Sequence, residues 1–499
     1  MVSLKRFTDE VLQSAIETPQ SDPEGTVTVT PAVPVGARRI PREEHCLSRR
    51  QISSGALQVL NTLHQAGHQA YLVGGSVRDL LLGREPKDYD VATDARPEQV
   101  RKLFRRNARL IGRRFILVHV QFGPEIIEVA TFRGQGESAE ETSERSASGR
   151  ILADNVYGSL EEDAGRRDFT ANALYYNIAD RSILDFADGL TDLQAGRLRM
   201  IGDPEQRYRE DPVRMLRAVR FAAKLGFQMD AAVEAAIAPC RELLLEVPSA
   251  RLFEETIKLF LTGHAQSSFD LLRRTGLFAA LFPQLDQVLD AADAESAREL
   301  LRLALEGTDQ RVLLGKSVTP AFLFAALLWP ALQAQRQHLE AQDKPANVAL
   351  QQAAAELLEE SRGRVAIPRR FALPMREIWD LQPRFTRRGG RRPYALLAHP
   401  RFRAAFDFLL LRQQSGEFVD QPELAGLGTW WTEFQEADSE GRKALMERAR
   451  REDAAPEAPL GPLPSNGLRR RPRRRRRKPS RLARVPSAAD DASGNGTTG

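Results

Sequence analysis

Cysteine is nearly absent: Cys46 and Cys240 are the only two in 499 residues. Two distant thiols make neither a disulfide framework nor a zinc-ligand spacing, so a reducing compartment fits and the cytoplasm is the expected location. Residues 1–30 hold Lys5, Arg6, Asp9, Glu10 and Glu17 and no apolar run, so no secretory signal is visible. The longest stretch without charge, from Thr319 to about Gln335, is short for a membrane span and carries Pro320 and Pro330. It reads as a buried helix, and no integral membrane segment is expected. A Walker-type phosphate loop is missing, as is any repeat of fixed period. What remains is ordinary: 42% apolar and 28% charged residues exclude collagen-like, wholly disordered and channel classes.

Charge is unevenly placed. The net charge is +5, yet residues 469–484 alone hold eleven Lys or Arg and no acid, which leaves −6 for the rest. The basic character belongs to a tail. Such a segment, with Arg473, Arg474, Arg475, Arg476, Arg477 and Lys478 at its centre, suits nucleic-acid phosphates without reading sequence. Acidic proteins or membrane surfaces are the alternative partners.

The chain divides by texture. Residues 1–45 mix Pro, Thr, Val and charge without period and are expected to be disordered or loosely docked. From residue 46 to about 195, short β-rich runs alternate with short helices. Leu57, Leu60 and Leu63 recur at helical spacing. Ala70–Gly75 and Asp88–Thr93 read as strands, Val77–Leu82 and Pro97–Phe104 as helices. Phe115–Phe122 and Ile126–Phe132 are joined by Gly123-Pro124, a hairpin signal. Residues 134–155 are polar and predict a mobile loop. After about Pro204, strand signals vanish, and Ala/Leu/Arg/Glu-rich segments dominate to about Ala449. Residues 451–499 are linker, Arg-rich tail and a Gly/Ser end. The fold class is therefore α+β: a small mixed-sheet head, an all-helical half and a disordered basic tail.

Four segments carry chemistry. In LVGGSVRDLLLG, residues 72–83, a strand ends at Gly74-Gly75 and a helix begins at once. Glycine permits close backbone approach, and a helix start offers unpaired N–H groups to a phosphate. Arg78 would add a fixed positive fork; the bland alternative is a tight turn with a surface arginine. Asp88 and Asp90 follow at i and i+2 of the next strand, hence on one face. Two carboxylates so close cost free energy unless a cation neutralises them, and Mg²⁺ bound with substrate phosphates suits one or two carboxylates plus waters. Glu128 is the only acid inside IIEVATF and is the candidate third carboxylate.

Arg166-Arg167-Asp168 precedes an apolar run. It is either a capped helix start or a set of groups for ribose and phosphate. In residues 210–227, Arg214, Arg217 and Arg220 are spaced by three, on one stripe of a helix opened by Pro212. They repel unless something anionic meets them. Asp211 beside Arg214 can imitate the hydrogen-bonding edge of a base. Trp430, Trp431 and Phe434 fit packing better than base stacking, and His119, mid-strand, reads as a structural histidine.

In this order and spacing the motifs resemble the nucleotidyltransferase branch shared by bacterial poly(A) polymerases and class II tRNA CCA-adding enzymes. The matching residues are Gly74-Gly75 with Arg78 and Asp79, Asp88-x-Asp90, Glu128-Val129, Arg166-Arg167-Asp168 and Glu210-Asp211-x-x-Arg214-x-x-Arg217. The match is strong over roughly residues 50–260.

The resemblance implies a nucleotidyltransferase head over 46–195, a nucleotide-selecting neck over 196–265 and a helical RNA-binding body over 266–450. Asp88 and Asp90 would bind Mg²⁺ (or Mn²⁺). Catalytic duty would fall to Asp88, Asp90, Asp168 and Glu128. Gly74, Gly75, Arg78 and Arg167 would hold ATP, while Asp211, Arg214 and Arg217 would select the base. The implied partners are RNA 3′ ends, ATP and RNA-decay proteins.

Residues 110–123, the run ARLFEE (residues 250–255) and the Arg-rich tail favour the poly(A) polymerase side. No His-Asp dipeptide occurs, so the phosphohydrolase appendix of some CCA-adding enzymes is not expected. CCA addition, or a non-catalytic RNA-binding protein on the same fold, are the alternatives.

Overall fold

The computed structural model describes residues 36–112, 116–134, 144–145, 151–153 and 156–454. The Arg-rich tail and most of the expected loop over 134–155 lie outside these. An eight-stranded mixed sheet forms the first half. Its strands are β1 (Arg38–Ile40), β2 (Ala70–Val73), β3 (Tyr89–Thr93), β4 (Ala108–Ile111), β5 (Leu117–Phe122), β6 (Glu125–Thr131), β7 (Leu174–Asn177) and β8 (Ile183–Asp185). The spatial order is β1-β8-β7-β2-β3-β6-β5-β4. Every neighbouring pair is antiparallel except β3 and β6, which run parallel. All four residues of β2 are buried, as a central strand requires.

Local chemistry fixes the elements. Helix α1 (Ser54–Gln65) is capped by Ser53, whose hydroxyl accepts from Ala56 N at 3.1 Å, and it buries Val59, Leu60 and Leu63. The expected hairpin forms with Phe122 opposite Glu125 and Gly123 at φ +59°. Helix α2 (Gly75–Leu81) begins one residue after Gly74, and α3 (Pro97–Phe104) opens on its proline.

Residues 1–45 were expected to be disordered or loosely docked, and 1–35 lie outside the described residues. From Arg38 the chain supplies edge strand β1, paired with β8, and Ile40 is wholly buried in the head core. A single apolar side chain that fills a core site is enough to order three residues when the sheet edge satisfies their backbone groups.

Beyond Pro204 nearly everything is helical, apart from one short parallel pair that joins Arg197–Leu198 to Gln228–Met229. Helix α5 (Val213–Leu225) packs against α4 (Pro204–Glu210) and α6 (Ser249–Phe260). One hydrophobic core runs from Phe169 to Phe408, so the expected boundary at residue 265 is not a break in packing. A second helical core reaches from Leu381 to Ala449 and encloses Trp430, Trp431 and Phe434. Those rings pack, as expected, rather than face solvent. The uncharged stretch after Thr319 is buried but forms two helices, Pro320–Leu327 and Trp329–Glu340, because Pro330 sits in the first turn of the second. No described helix is long and apolar enough to cross a membrane.

Ile40→Ala removes the one fully buried side chain of β1 and should cost about 2–4 kcal/mol, read as a lowered urea midpoint with an unchanged m-value.

Candidate active site

Strand pairing brings the aspartate strand to the glycine turn. Asp90 lies opposite Val73, the last residue of β2, and in register with Glu128 on β6. Gly74 follows Val73 at φ +75°, where an L side chain is strained. A Cβ there would stand 3.4 Å from Arg167 Nη1 and 3.8 Å from Asp90 Oδ2. The turn thus brings backbone against a guanidinium and a carboxylate at one point.

Asp90 is held in an unfavourable place for its charge. Burial, then the neighbouring Glu128, pushes its pKa up to about 6, with Asp88 adding and Arg167 opposing. Asp88 is exposed at the entrance to β3. Glu128 is partly exposed, and its Oε2 lies 3.6 Å from His119 Nε2, directly opposite on β5. His119 thus faces a site carboxylate, a neighbour that its mid-strand setting alone did not reveal. Among the described residues, no three acidic, His or Cys side chains converge into a preformed metal cage. A half-buried aspartate crowded by two other acids is nevertheless the donor set that a divalent cation relieves, with its remaining ligands from phosphate and water. The residues fit such an ion.

Arg167 is aimed by its surroundings. Its Nε donates to the Tyr175 hydroxyl at 2.8 Å and to Asp163 Oδ2 at 3.3 Å, and its Nη2 to Asp163 Oδ2 at 3.2 Å. The guanidinium stacks 5.0 Å over the Tyr175 ring. Asp163, buried on the helix Leu160–Arg166, also accepts from the Tyr175 hydroxyl at 2.7 Å. Neither Asp163 nor Tyr175 was singled out from sequence, because a supporting partner carries no motif of its own.

Asp168 turns to the helical half. It accepts from Arg217 Nε at 2.8 Å and Nη2 at 2.5 Å, and from Asn172 Nδ2 at 3.0 Å. Burial would raise its pKa, but Arg217 and these hydrogen bonds hold the carboxyl well below the usual range. Arg78 is buried rather than a surface arginine. Its Nε and Nη2 donate to Asp79 Oδ1, its Nη1 to Asn172 Oδ1, and it lies 5.2 Å over the Phe221 ring. Gly75 stands beside it: a Cβ there would meet Arg78 Nη2 at 3.5 Å. Lys224 of α5 reaches Asp79 at 3.4 Å. Head and helix α5 are therefore tied by Asp168–Arg217, Asp79–Lys224 and the arginines around Phe221.

The three-arginine stripe on α5 finds its anions inside the protein. Arg214 Nη1 donates to Glu210 at 2.8 Å and to the Arg207 carbonyl at 2.8 Å; Arg217 meets Asp168; Arg220 stands 3.9 Å from Glu255. Asp211 is gripped by both Nη atoms of Arg251, at 2.9 and 2.7 Å. Asp211 and Arg214, three positions apart in sequence, thus belong to different ion pairs. Arg251 lies within ARLFEE, which was noted only as a family-like segment. Arg207 was also unforeseen: it is buried and donates to the carbonyls of Arg166 and Arg167, both at 2.7 Å.

Comparison with known proteins gives the family. Residues 70–199 match the family described as "Poly A polymerase head domain", 226–289 match "Probable RNA and SrmB-binding site of polymerase A", and 342–478 match "Polymerase A arginine-rich C-terminus". The chain is 47% identical over 450 residues to Poly(A) polymerase I of Salmonella typhi, covering 89% of this chain and 93% of that one. It is 46% identical over 448 residues to the Escherichia coli O157:H7 protein of the same name, covering 89% and 92%. The CCA-adding enzyme of Lactobacillus helveticus is 38% identical over 248 residues, half of this chain and 57% of that one. In fold, the chain resembles the Thermotoga maritima CCA-adding enzyme complexed with tRNA, with TM-score 0.52 at 18% identity over 83% of this chain and 94% of that one. By identity and coverage together, the chain belongs to the poly(A) polymerase I family.

Proposed function

We propose that this chain adds AMP from ATP to RNA 3′ ends without a template. The observation that carries this reading is the register that sets Asp90 between the Gly74 turn and Glu128. The terminal RNA 3′ oxygen attacks the α-phosphorus of ATP, the bond from that phosphorus to the bridging oxygen breaks, the hydroxyl proton is lost and pyrophosphate leaves. Asp88 and Asp90 would hold a divalent cation, Mg²⁺ or Mn²⁺. When bound, that ion lowers the pKa of the attacking hydroxyl and neutralises charge on the phosphoryl oxygens. Glu128, poised beside His119, faces the same point as the candidate third carboxylate. Arg167, fixed by Asp163 and Tyr175, and the bare backbone at Gly74-Gly75 would receive the triphosphate. Arg78 supports that turn from behind, and Asp168 joins it to the neck.

Base choice falls to Asp211, Arg214 and Arg217. Arg251 holds the Asp211 carboxylate in place, and that carboxylate would accept from the adenine amino group. Arg214 spends only Nη1 on its protein partners among the described residues, which leaves Nε and Nη2 to donate to a ring nitrogen. Arg473–Lys478 in the tail would grip RNA phosphates. RNA-decay proteins are the proposed partners, and two unpaired cysteines suit the cytoplasm.

Asp88→Ala and Asp90→Ala should fold normally yet lose AMP incorporation by about 10²-fold or more, the scale of a lost charge-stabilising group; near wild-type incorporation by either would remove the metal assignment. Arg251→Ala should raise the KM for ATP and relax the preference for ATP over the other three triphosphates by about tenfold, worth about 1.4 kcal/mol. An unchanged ratio would take Asp211 out of base selection. Deleting residues 466–499 should weaken RNA binding and flatten its salt dependence while ATP binding stays intact. Supplied with CTP alone and a tRNA lacking its end, the protein should add little; efficient C addition would favour the CCA-adding reading.

A further inference from the structure

The tail is not the chain's only basic segment. Between Gln382 and Phe406 the sequence holds seven arginines, no lysine and no acid. Unlike the tail, this stretch is part of the described fold. It links the helix Arg369–Leu381 to α7 (Arg392–Leu397) and α8 (Phe402–Gln414). Its buried side chains, Phe385, Leu396 and Phe402, anchor it in the C-terminal helical core.

The arginines sort by partner. Arg388 is largely buried and pairs with Glu452 at 3.3 Å. Arg401 and Arg403 meet Glu377 and Asp407. Arg387, Arg391 and Arg392 are exposed and meet no acid among the described residues. The turn between them stands clear of the fold: a Cβ built at Gly389 or Gly390 would touch nothing within 4 Å. Three guanidiniums that meet no acid among the described residues, carried on one projecting turn, repel one another through solvent. That cost is relieved by an external anion with several charges in a row. Guanidinium forks suit phosphate oxygens in pairs better than a point charge does. Two residues on, Tyr394 is 37% exposed and is fixed edge-on against buried Phe434 at 5.5 Å, so a braced aromatic ring lies beside the cations.

We propose that the turn carrying Arg387, Arg391 and Arg392 is a folded RNA-backbone-binding surface, distinct from the active site. This rests on the reading of the chain as an RNA-extending enzyme and names where the helical half grips that RNA.

The test uses the full chain with alanine at all three positions, and a second variant with lysine at all three. Binding of a short labelled RNA is followed by fluorescence anisotropy over a salt series. The alanine variant should melt at the wild-type temperature, bind on the order of 10- to 100-fold more weakly at low salt, and lose about 2 from the log–log salt slope, at about 0.7 for each phosphate contact. The lysine variant should keep most of the slope. A correctly folded alanine variant with the wild-type slope overturns the proposal. So does one that loses only binding to anionic phospholipid vesicles, which would make the turn a membrane contact. AMP incorporation by the wild-type chain separates this from the functional reading. Incorporation with an unmoved slope sinks the turn alone; a moved slope without any incorporation sinks the enzyme reading and leaves the turn.

Discussion

The site depends on the pairing of β3 with two unlike neighbours, antiparallel to β2 and parallel to β6. That single arrangement sets Asp90 beside the end of β2 and level with Glu128. Since side chains alternate along a strand, a slip of β3 by one residue would send Asp90 to the opposite face. The register is locked from elsewhere: Leu72, Val91, Ile127 and Val129 are buried in the core beneath the sheet. Apolar packing therefore holds a polar arrangement that is unfavourable by itself. A carboxylate shifted upward by burial and by a neighbouring acid is a strained group, and such strain is tolerated where the surrounding structure over-determines the geometry.

A second layer of order links head to neck. Arg217 reaches from α5 to Asp168, Lys224 reaches to Asp79, and Phe221 sits among Arg78, Arg217 and Arg220 with ring distances of 5.2, 5.3 and 4.6 Å. The groups proposed to hold phosphates and those proposed to select the base are thus parts of one ionic lattice. A nucleotide lying across the junction would contact elements whose relative position is already set, which lowers the ordering cost of binding.

Much of this was legible in the sequence where local rules apply. The glycine turn, the hairpin at Gly123-Pro124 and α3 follow from turn chemistry and period. Strand β1 did not, because Arg38-Arg39-Ile40 offers one apolar residue and no period; its order comes from the edge of β8. Ion-pair partners were equally hidden. Asp168 meets Arg217 49 positions away and Asp211 meets Arg251 40 away, separations that no helical or strand spacing encodes. The arginine stripe on α5 was rightly read as needing anions. That the protein supplies them, and that Arg78 is buried, required the tertiary structure.

The central claim is that the Asp90 carboxylate meets a divalent ion at the Gly74 turn. Electron paramagnetic resonance of Mn²⁺ bound with a non-hydrolysable ATP analogue tests it most directly, comparing the wild-type chain with Asp90→Asn. The account predicts that the protein-bound Mn²⁺ signal is lost or weakened at least tenfold in the variant while its fold is retained. A variant that binds Mn²⁺ and the analogue as the wild type does would contradict it.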